Sequence, residues 1–171
     1  MSGCTGADRI TKEKVQLVTT NYITNILSKY PHYKGKYKIT GSYNVGKKQT
    51  YGDIDMVVLM DNTMPKNEMK KDFTKWLVKN YDEKTIQRFT SIKHTGKRFY
   101  NAGELVSIKY PQNKTTSVQI DNIFSMDENE FNFKTNFLNL PAEIQGLYLG
   151  IIKTIMLEVN PKRILNDLCI N

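Results

Sequence analysis

Two aspartates separated by one residue are the first feature of this sequence that could do chemistry. Asp53 and Asp55 flank Ile54 at the start of an apolar run. In a β-strand, residues i and i+2 point to the same face, about 6 to 7 Å apart along the chain, so both acids would share one rim while Ile54 enters the core. Two such charges are unfavourable unless a cation offsets them, and a pair of divalent ions is one arrangement they can bridge. The same residues, after Tyr51 and Gly52, also fit an ordinary turn that begins a strand.

A Gly-Ser pair precedes the two acids. Gly41 and Ser42 follow Ile39 and Thr40 at the end of a short apolar strand. Glycine lets the backbone approach a phosphate closely, and the N–H groups of the turn can then donate hydrogen bonds to the phosphate oxygens. The Ser42 hydroxyl would add one more donor. Taken alone, a Gly-Ser pair is more often a simple turn.

A third acid interrupts another apolar run. Asp121 lies between Val118 and Phe124. A buried ionised carboxylate is unfavourable unless it is paired or bound to a metal, so Asp121 is a candidate third ligand. An aspartate at a strand end that accepts hydrogen bonds from backbone N–H groups would give the same pattern.

In combination, these residues resemble the nucleotidyltransferases of the DNA polymerase β superfamily, whose motif is Gly-Ser, a spacer, Asp-apolar-Asp-apolar and a later Asp. The motif residues, with ten residues between the first two blocks, are Gly41-Ser42, Asp53-Ile54-Asp55-Met56 and Asp121. The resemblance spans about residues 11–160. Gly52 stands where many members carry a serine, and Lys47-Lys48 replace a Gly-Thr pair, so the subfamily and the substrate are less well defined than the chemistry.

The resemblance implies transfer of a nucleoside monophosphate from a nucleoside triphosphate (NTP) to a hydroxyl, with release of pyrophosphate. Asp53 and Asp55 would bind two ions, Mg²⁺ or Mn²⁺. Asp121 would complete the ion that activates the attacking hydroxyl, and all three acids would be catalytic. Gly41 and Ser42 would hold the triphosphate.

The fold that the resemblance implies is α+β, a polymerase β-like mixed sheet with helices packed on it and a long C-terminal helix. Apolar periodicity predicts helices and strands in a matching order. Helices are predicted at 11–30, about 65–81, 141–159 and 163–170. Strands are predicted at 37–40, 54–60, 85–92, 98–100, 104–110 and 115–124. The run 127–130 is predicted as an acidic loop, followed by a connector rich in Phe and Asn.

The helix at 141–159 carries an apolar stripe that we expect to be buried. Its members are Leu147, Tyr148, Ile151, Ile152, Ile155, Met156 and Val159. Family members similar to poly(A) polymerases and oligoadenylate synthases place a lysine from this helix on the triphosphate, which makes Lys153 a further candidate for nucleotide binding. Lys153 lies nearly opposite the stripe on a helical wheel, so a solvated lysine is the alternative.

Composition limits the class of protein. With 171 residues, 39% of them hydrophobic and 11% aromatic, the chain can form one domain at 1–171, and a disordered or fibrous state is excluded. Cys4 and Cys169 lie near opposite ends, which argues against a disulfide framework and favours a reducing, cytoplasmic setting. We expect no membrane span and no signal peptide. Many relatives carry a further helical domain, so a minimal form, a fragment or half of an oligomer all stay open.

Charge indicates the class of partner. The 25 Lys and Arg residues exceed the 17 Asp and Glu residues, which gives a net charge of +8. The positive charge favours a polyanionic acceptor, and an RNA end or a nucleotide is the leading candidate. Two alternatives stay open: a transferase of the same fold that modifies a protein or small-molecule hydroxyl, and a nucleic-acid-binding domain whose acids no longer do chemistry.

Overall fold

The computed structural model describes residues 6–81, 100–102 and 105–159. The predicted strand at 85–92, the predicted helix at 163–170 and most of the predicted strand at 98–100 lie outside these residues. The strands are β1 (Ile10–Thr11), β2 (Tyr33–Thr40), β3 (Thr50–Tyr51), β4 (Asp53–Met60), β5 (Tyr100–Ala102), β6 (Leu105–Pro111) and β7 (Ser117–Ser125). The helices are α1 (Lys12–Asn25), α2 (Ser42–Val45), α3 (Lys66–Asn80), α4 (Glu128–Leu138) and α5 (Ala142–Val159), with a 3₁₀ turn at Leu27–Lys29.

Five strands form a mixed sheet in the order β2-β4-β7-β6-β5, while β1 and β3 pair separately. Strands β4 and β7 run parallel, and the other neighbours in the five-stranded sheet are antiparallel. Parallel neighbours need a crossover connection, and α3 lies within it. The α+β fold class with a mixed sheet is confirmed, as is the position of β4 inside the sheet.

Different helices cover the two faces of the sheet. The face that carries Ile54 packs against α1 and α3 in the main core. The opposite face carries Val57, which packs against Phe131 of α4. Because side chains alternate along a strand, Asp53 and Asp55 share the face of Val57, which we call the acid face.

Helix α1 follows the predicted amphipathic pattern. Val18 and Tyr22 are buried. The Tyr22 hydroxyl donates a hydrogen bond of 2.8 Å to Oδ1 of Asn122 in the core. The helix is shorter than the predicted 11–30, because it ends at Asn25 and a 3₁₀ turn follows it.

Strand β2 is longer than predicted. It begins at Tyr33 rather than at Tyr37, and its pairing with β4 is irregular between these two residues. Gly35 lies inside the irregularity with a φ of 72°. Glycine adopts that conformation without steric cost, and the irregular pairing breaks the alternation by which a strand is recognised in a sequence.

Strands β6 and β7 form the predicted hairpin, within two residues of the predicted bounds. Oδ1 of Asn113 accepts a hydrogen bond of 2.9 Å from the backbone N–H of Thr115. This contact closes the turn that joins the two strands.

The segment predicted as an acidic loop is instead the start of α4. Asp127 is the N-cap, and its Oδ1 accepts a hydrogen bond of 2.7 Å from the backbone N–H of Glu130. Oε2 of Glu130 accepts one of 2.8 Å from the backbone N–H of Met126. The first contact satisfies one of the backbone donors that a helix start leaves unpaired, and the second ties the residue before the N-cap to the first turn. The loop prediction is wrong because acids that cap a helix resemble a solvated acidic run in sequence.

Helix α5 confirms the predicted long helix but contradicts the burial of its apolar stripe. Leu147, Ile151 and Ile155 are 62%, 52% and 55% exposed. Tyr148 of the stripe contacts Phe137 of α4, with 5.8 Å between the ring centroids. An amphipathic period identifies an apolar face but not whether a neighbour covers it, which is why the prediction fails. Among the helices of the described ranges, not one is both long and apolar enough to cross a membrane.

Replacing Asp127 with alanine should lower the free energy of unfolding by about 1 kcal/mol, because the N-cap acceptor is lost. Asp127→Asn keeps an acceptor of similar capping strength and should lose much less. Urea unfolding followed by circular dichroism measures both variants against wild type. Equal losses in the two variants would show that Asp127 does not stabilise the protein by capping.

Candidate active site

Strand β4 places two carboxylates on the acid face. Asp53 and Asp55 are partly exposed, whereas Ile54 between them is 1% exposed and lies in the core. Met56 and Val58 are fully buried on the same side as Ile54. The strand that carries the acids is therefore held by its apolar side chains rather than by the acids.

Strand β7 brings a third carboxylate to the same place. In the parallel register of β4 and β7, Asp121 lies directly beside Asp55. One carboxylate oxygen from each of Asp53, Asp55 and Asp121 lies within 4.8 Å of the other two. We call these three residues the acid cluster. Carboxylate oxygens are donors that suit Mg²⁺ and Mn²⁺, so the three side chains fit such an ion by their chemistry and spacing.

Burial and mutual repulsion oppose full ionisation of the acid cluster. Burial, the charges of Asp53 and Asp121 and a hydrogen bond with Asp121 raise the pKa of Asp55 to about 7. Burial also raises the pKa of Asp121, against the opposing effect of hydrogen bonds from Ser107 and Gln119. A divalent cation would offset the repulsion and favour the ionised form of all three carboxylates.

Two polar residues contact Asp121 that the sequence analysis did not single out. Oγ of Ser107 donates a hydrogen bond of 2.6 Å to Oδ1 of Asp121, and Nε2 of Gln119 donates one of 2.8 Å to the same oxygen. Gln119 precedes Asp121 by two residues and so shares its face of β7, a signal present in the sequence. Ser107 lies opposite Asp121 only because of the hairpin register.

Gly41 lies directly against the acid cluster. Its φ is 71°, and a Cβ at this position would lie 2.6 Å from Oδ2 of Asp55. Only glycine leaves room for that carboxylate and adopts this backbone without strain. Ser42 follows as the first residue of the one-turn helix α2. The Gly-Ser pair and the acids are therefore neighbours in space as well as in the motif.

A cavity of about 280 Å³ opens beside the Gly-Ser pair. Its lining combines Ser42 and Lys48, which are polar, with Leu138 and Leu140, which are apolar. A site with both kinds of surface suits a ligand that has an anionic part and an apolar part.

Lys153 lies on α5 and does not line this cavity. It is exposed and makes no hydrogen bond or ion pair with a residue that the structure describes. Ala142, which does line the cavity, precedes it by eleven residues. In an α-helix that separation is about 20° around the axis and about 16 Å along it. Lys153 thus shares a helix face with the cavity wall, and its role in nucleotide binding stays a prediction.

Comparisons with known proteins find similarity only at the level of structure. No protein-family model and no curated protein match the chain. Two similar solved structures are of the Cid1 poly(U) polymerase, one with MgGTP bound and one of a mutant bound to MgATP. Their TM-scores are 0.44 and 0.46, and each is 16% identical to this chain.

The similar regions cover 75% and 83% of this chain but only 36% and 41% of the two polymerase chains. This chain therefore spans well under half the length of those proteins. A likeness this distant carries no weight on function, and we infer function from the geometry of the site.

In the absence of metal, the protein should lose stability as the pH rises towards 7 and change little from this cause above it. Burial and the neighbouring acids raise the pKa of Asp55 to about 7 in the folded protein, from an ordinary value of 3.8. Its protonated form therefore adds stability that is complete below about pH 4, falls between about pH 4 and pH 7, and is gone once the folded carboxyl has ionised. Thermal unfolding in EDTA between pH 5 and 8 measures the effect. Asp55→Asn removes the ionisation, so its Tm should fall less than that of wild type, whereas parallel curves would contradict this explanation.

Proposed function

We propose that this chain is a metal-dependent nucleotidyltransferase, which transfers a nucleoside monophosphate from an NTP to a hydroxyl acceptor and releases pyrophosphate. The observation that carries the proposal is the convergence of Asp53, Asp55 and Asp121 within 4.8 Å, beside a glycine that a side chain could not replace. Nucleotidyl transfer needs positioning and charge neutralisation more than covalent participation by the protein. The acid cluster and the adjoining cavity are suited to both tasks.

The acid cluster would hold two ions, Mg²⁺ or Mn²⁺. Asp53 and Asp55 would bind both, and Asp121 would complete the coordination of the one nearer the acceptor. When bound, the ions neutralise phosphate charge and lower the pKa of the attacking hydroxyl.

The reaction forms one P–O bond and breaks another. The acceptor oxygen bonds to the α-phosphorus, the bond from that phosphorus to the bridging oxygen of the β-phosphate breaks, and pyrophosphate leaves with the electron pair. The hydroxyl proton passes to the carboxylate of Asp121. The acceptor oxygen and the leaving pyrophosphate lie roughly in line, on opposite sides of the phosphorus.

The triphosphate would lie against the Gly-Ser pair, where the turn N–H groups and the Ser42 hydroxyl can donate hydrogen bonds. Lys48, in the cavity lining, would add positive charge, and Lys153 would do so from α5. The apolar side of the cavity, at Leu138 and Leu140, would accommodate the nucleoside.

A polyanionic acceptor such as an RNA end fits the charge of the protein, +8 overall. With the triphosphate on the β2 side of the acid cluster, in-line attack brings the acceptor across β7 and β6. On that side Lys109 lies opposite Gln119, which is the neighbour of Asp53 in the sheet. Lys109 would contact an acceptor phosphate from this position.

Asp53→Asn and Asp55→Asn should each reduce transfer by at least about 10³-fold, because losing a ligand from a two-metal site removes several kcal/mol of transition-state stabilisation. Incorporation from each labelled NTP, with Mg²⁺ or Mn²⁺ and a panel of RNA, DNA and protein acceptors, measures this. Glu13→Gln, which alters an exposed carboxylate on α1, is the matched control and should keep wild-type activity. Wild-type protein that binds RNA but incorporates no nucleotide would support a binding domain instead.

The two lysines should separate acceptor binding from NTP binding. Lys109→Gln should raise the KM for RNA about tenfold and leave the KM for NTP unchanged, and Lys153→Gln should do the reverse. The RNA effect should shrink as salt rises, since phosphate contacts are screened. Lys114→Gln, in the exposed hairpin turn, controls for the loss of one positive charge. Equal RNA KM values for Lys109→Gln and Lys114→Gln would remove Lys109 from the acceptor site.

A further inference from the structure

The two oxygens of the Asp121 carboxylate have different surroundings. Oδ1 accepts two hydrogen bonds, from Ser107 at 2.6 Å and from Gln119 at 2.8 Å. Ser107, Gln119 and Asp121 are 1%, 3% and 7% exposed, so these contacts form away from bulk water. The remaining oxygen, Oδ2, receives no hydrogen bond from either donor.

This asymmetry restricts the orientation of the carboxylate. Each carboxylate oxygen offers about two lone-pair sites, and the two donors fill those of Oδ1. Rotation of the carboxyl group would break both hydrogen bonds inside the protein, where unsatisfied donors are unfavourable. Oδ2 is thus the oxygen left for a partner on the side of Asp53 and Asp55.

The chemical type of the two donors matters as well. A hydroxyl and an amide are neutral, so they orient the carboxylate without neutralising its charge. A lysine or arginine in their place would form an ion pair with Asp121 and compete with a cation for it. Lys109 lies two residues after Ser107 on β6, so it pairs with Gln119 rather than with Asp121.

We propose that Ser107 and Gln119 are positioning residues, which hold Asp121 through Oδ1 so that Oδ2 is the metal-binding oxygen. The inference rests on the proposed function, because it requires a divalent cation at the acid cluster. Residues that orient metal ligands typically contribute 10- to 100-fold to metal affinity or activity. If Ser107 and Gln119 only supplied hydrogen bonds to a buried carboxylate, their removal would lower the stability of the fold but would not change metal binding.

The test compares Mn²⁺ binding with stability. Ser107→Ala and Gln119→Met each remove one donor while keeping most of the side-chain volume, and the double variant removes both. Mn²⁺ affinity of the folded, substrate-free protein is measured by electron paramagnetic resonance, and folding is checked by circular dichroism and by Tm in EDTA. We expect Mn²⁺ affinity to fall about tenfold in each single variant and up to about 100-fold in the double variant.

Two further variants separate positioning from packing. Ser125→Ala removes a fully buried hydroxyl from the same strand as Asp121, and that hydroxyl makes no hydrogen bond with a described residue. Its Mn²⁺ affinity should equal that of wild type. Ser107→Thr keeps the donor and should recover most of the affinity that Ser107→Ala loses. In steady-state assays the two donor-removing variants should lower kcat more than they raise the KM for NTP, since Asp53 and Asp55 hold the nucleotide-bearing ion.

The outcomes distinguish this inference from the proposed function. Wild-type Mn²⁺ affinity in folded Ser107→Ala, Gln119→Met and the double variant would overturn the positioning role and leave the nucleotidyltransferase proposal standing. Wild-type protein that binds no Mn²⁺, with or without NTP, would overturn both. A loss of affinity in Ser125→Ala as large as that in Ser107→Ala would show a general packing effect and would also overturn the positioning role.

Discussion

The parallel pairing of β4 and β7 is the interaction on which the rest of the site depends. It sets Asp55 beside Asp121 and so concentrates negative charge in a partly buried place, where desolvation and repulsion both oppose ionisation. Ile54 and Ile120, also neighbours in this register, are at most 1% exposed in the core of the opposite face. Favourable burial of apolar side chains thus holds an electrostatically unfavourable cluster in place, as is common at functional sites.

The acid face carries both apolar packing contacts and the acid cluster. Phe131 of α4 covers Val57 further along β4, while Gly41 leaves the space that the Asp55 carboxylate occupies. Glu130 of α4 pairs with Lys66 and, at 2.9 Å, with Lys134. These ion pairs join the first turn of α3 to α4 and lie within α4 itself.

Apart from the carboxyl of Asp55, the hydrogen-bond partners described for Asp121 are neutral donors from β6 and β7. A lysine at hydrogen-bond distance would satisfy the carboxylate electrostatically and make a metal unnecessary. Neutral donors form hydrogen bonds with the carboxylate but do not neutralise its charge. A basic protein can retain a strongly acidic centre in this way, because a hydroxyl and an amide contact the carboxylate of Asp121 without neutralising it.

Features that depend on local periodicity could be predicted from the amino-acid sequence. Helix α1, strand β4 inside the sheet and the common face of Asp53 and Asp55 all follow from helix and strand periods, and the Gly-Ser to Asp-x-Asp order was visible as a motif. Features that depend on contacts between distant segments could be seen only in the folded protein. Ser107 reaches Asp121 through the hairpin register, and Gly41 contacts Asp55 through the pairing of β2 with β4, neither of which has a local signal. The exposed stripe of α5 has the same physical cause, because a period defines an apolar face but burial requires a neighbour that the period does not specify.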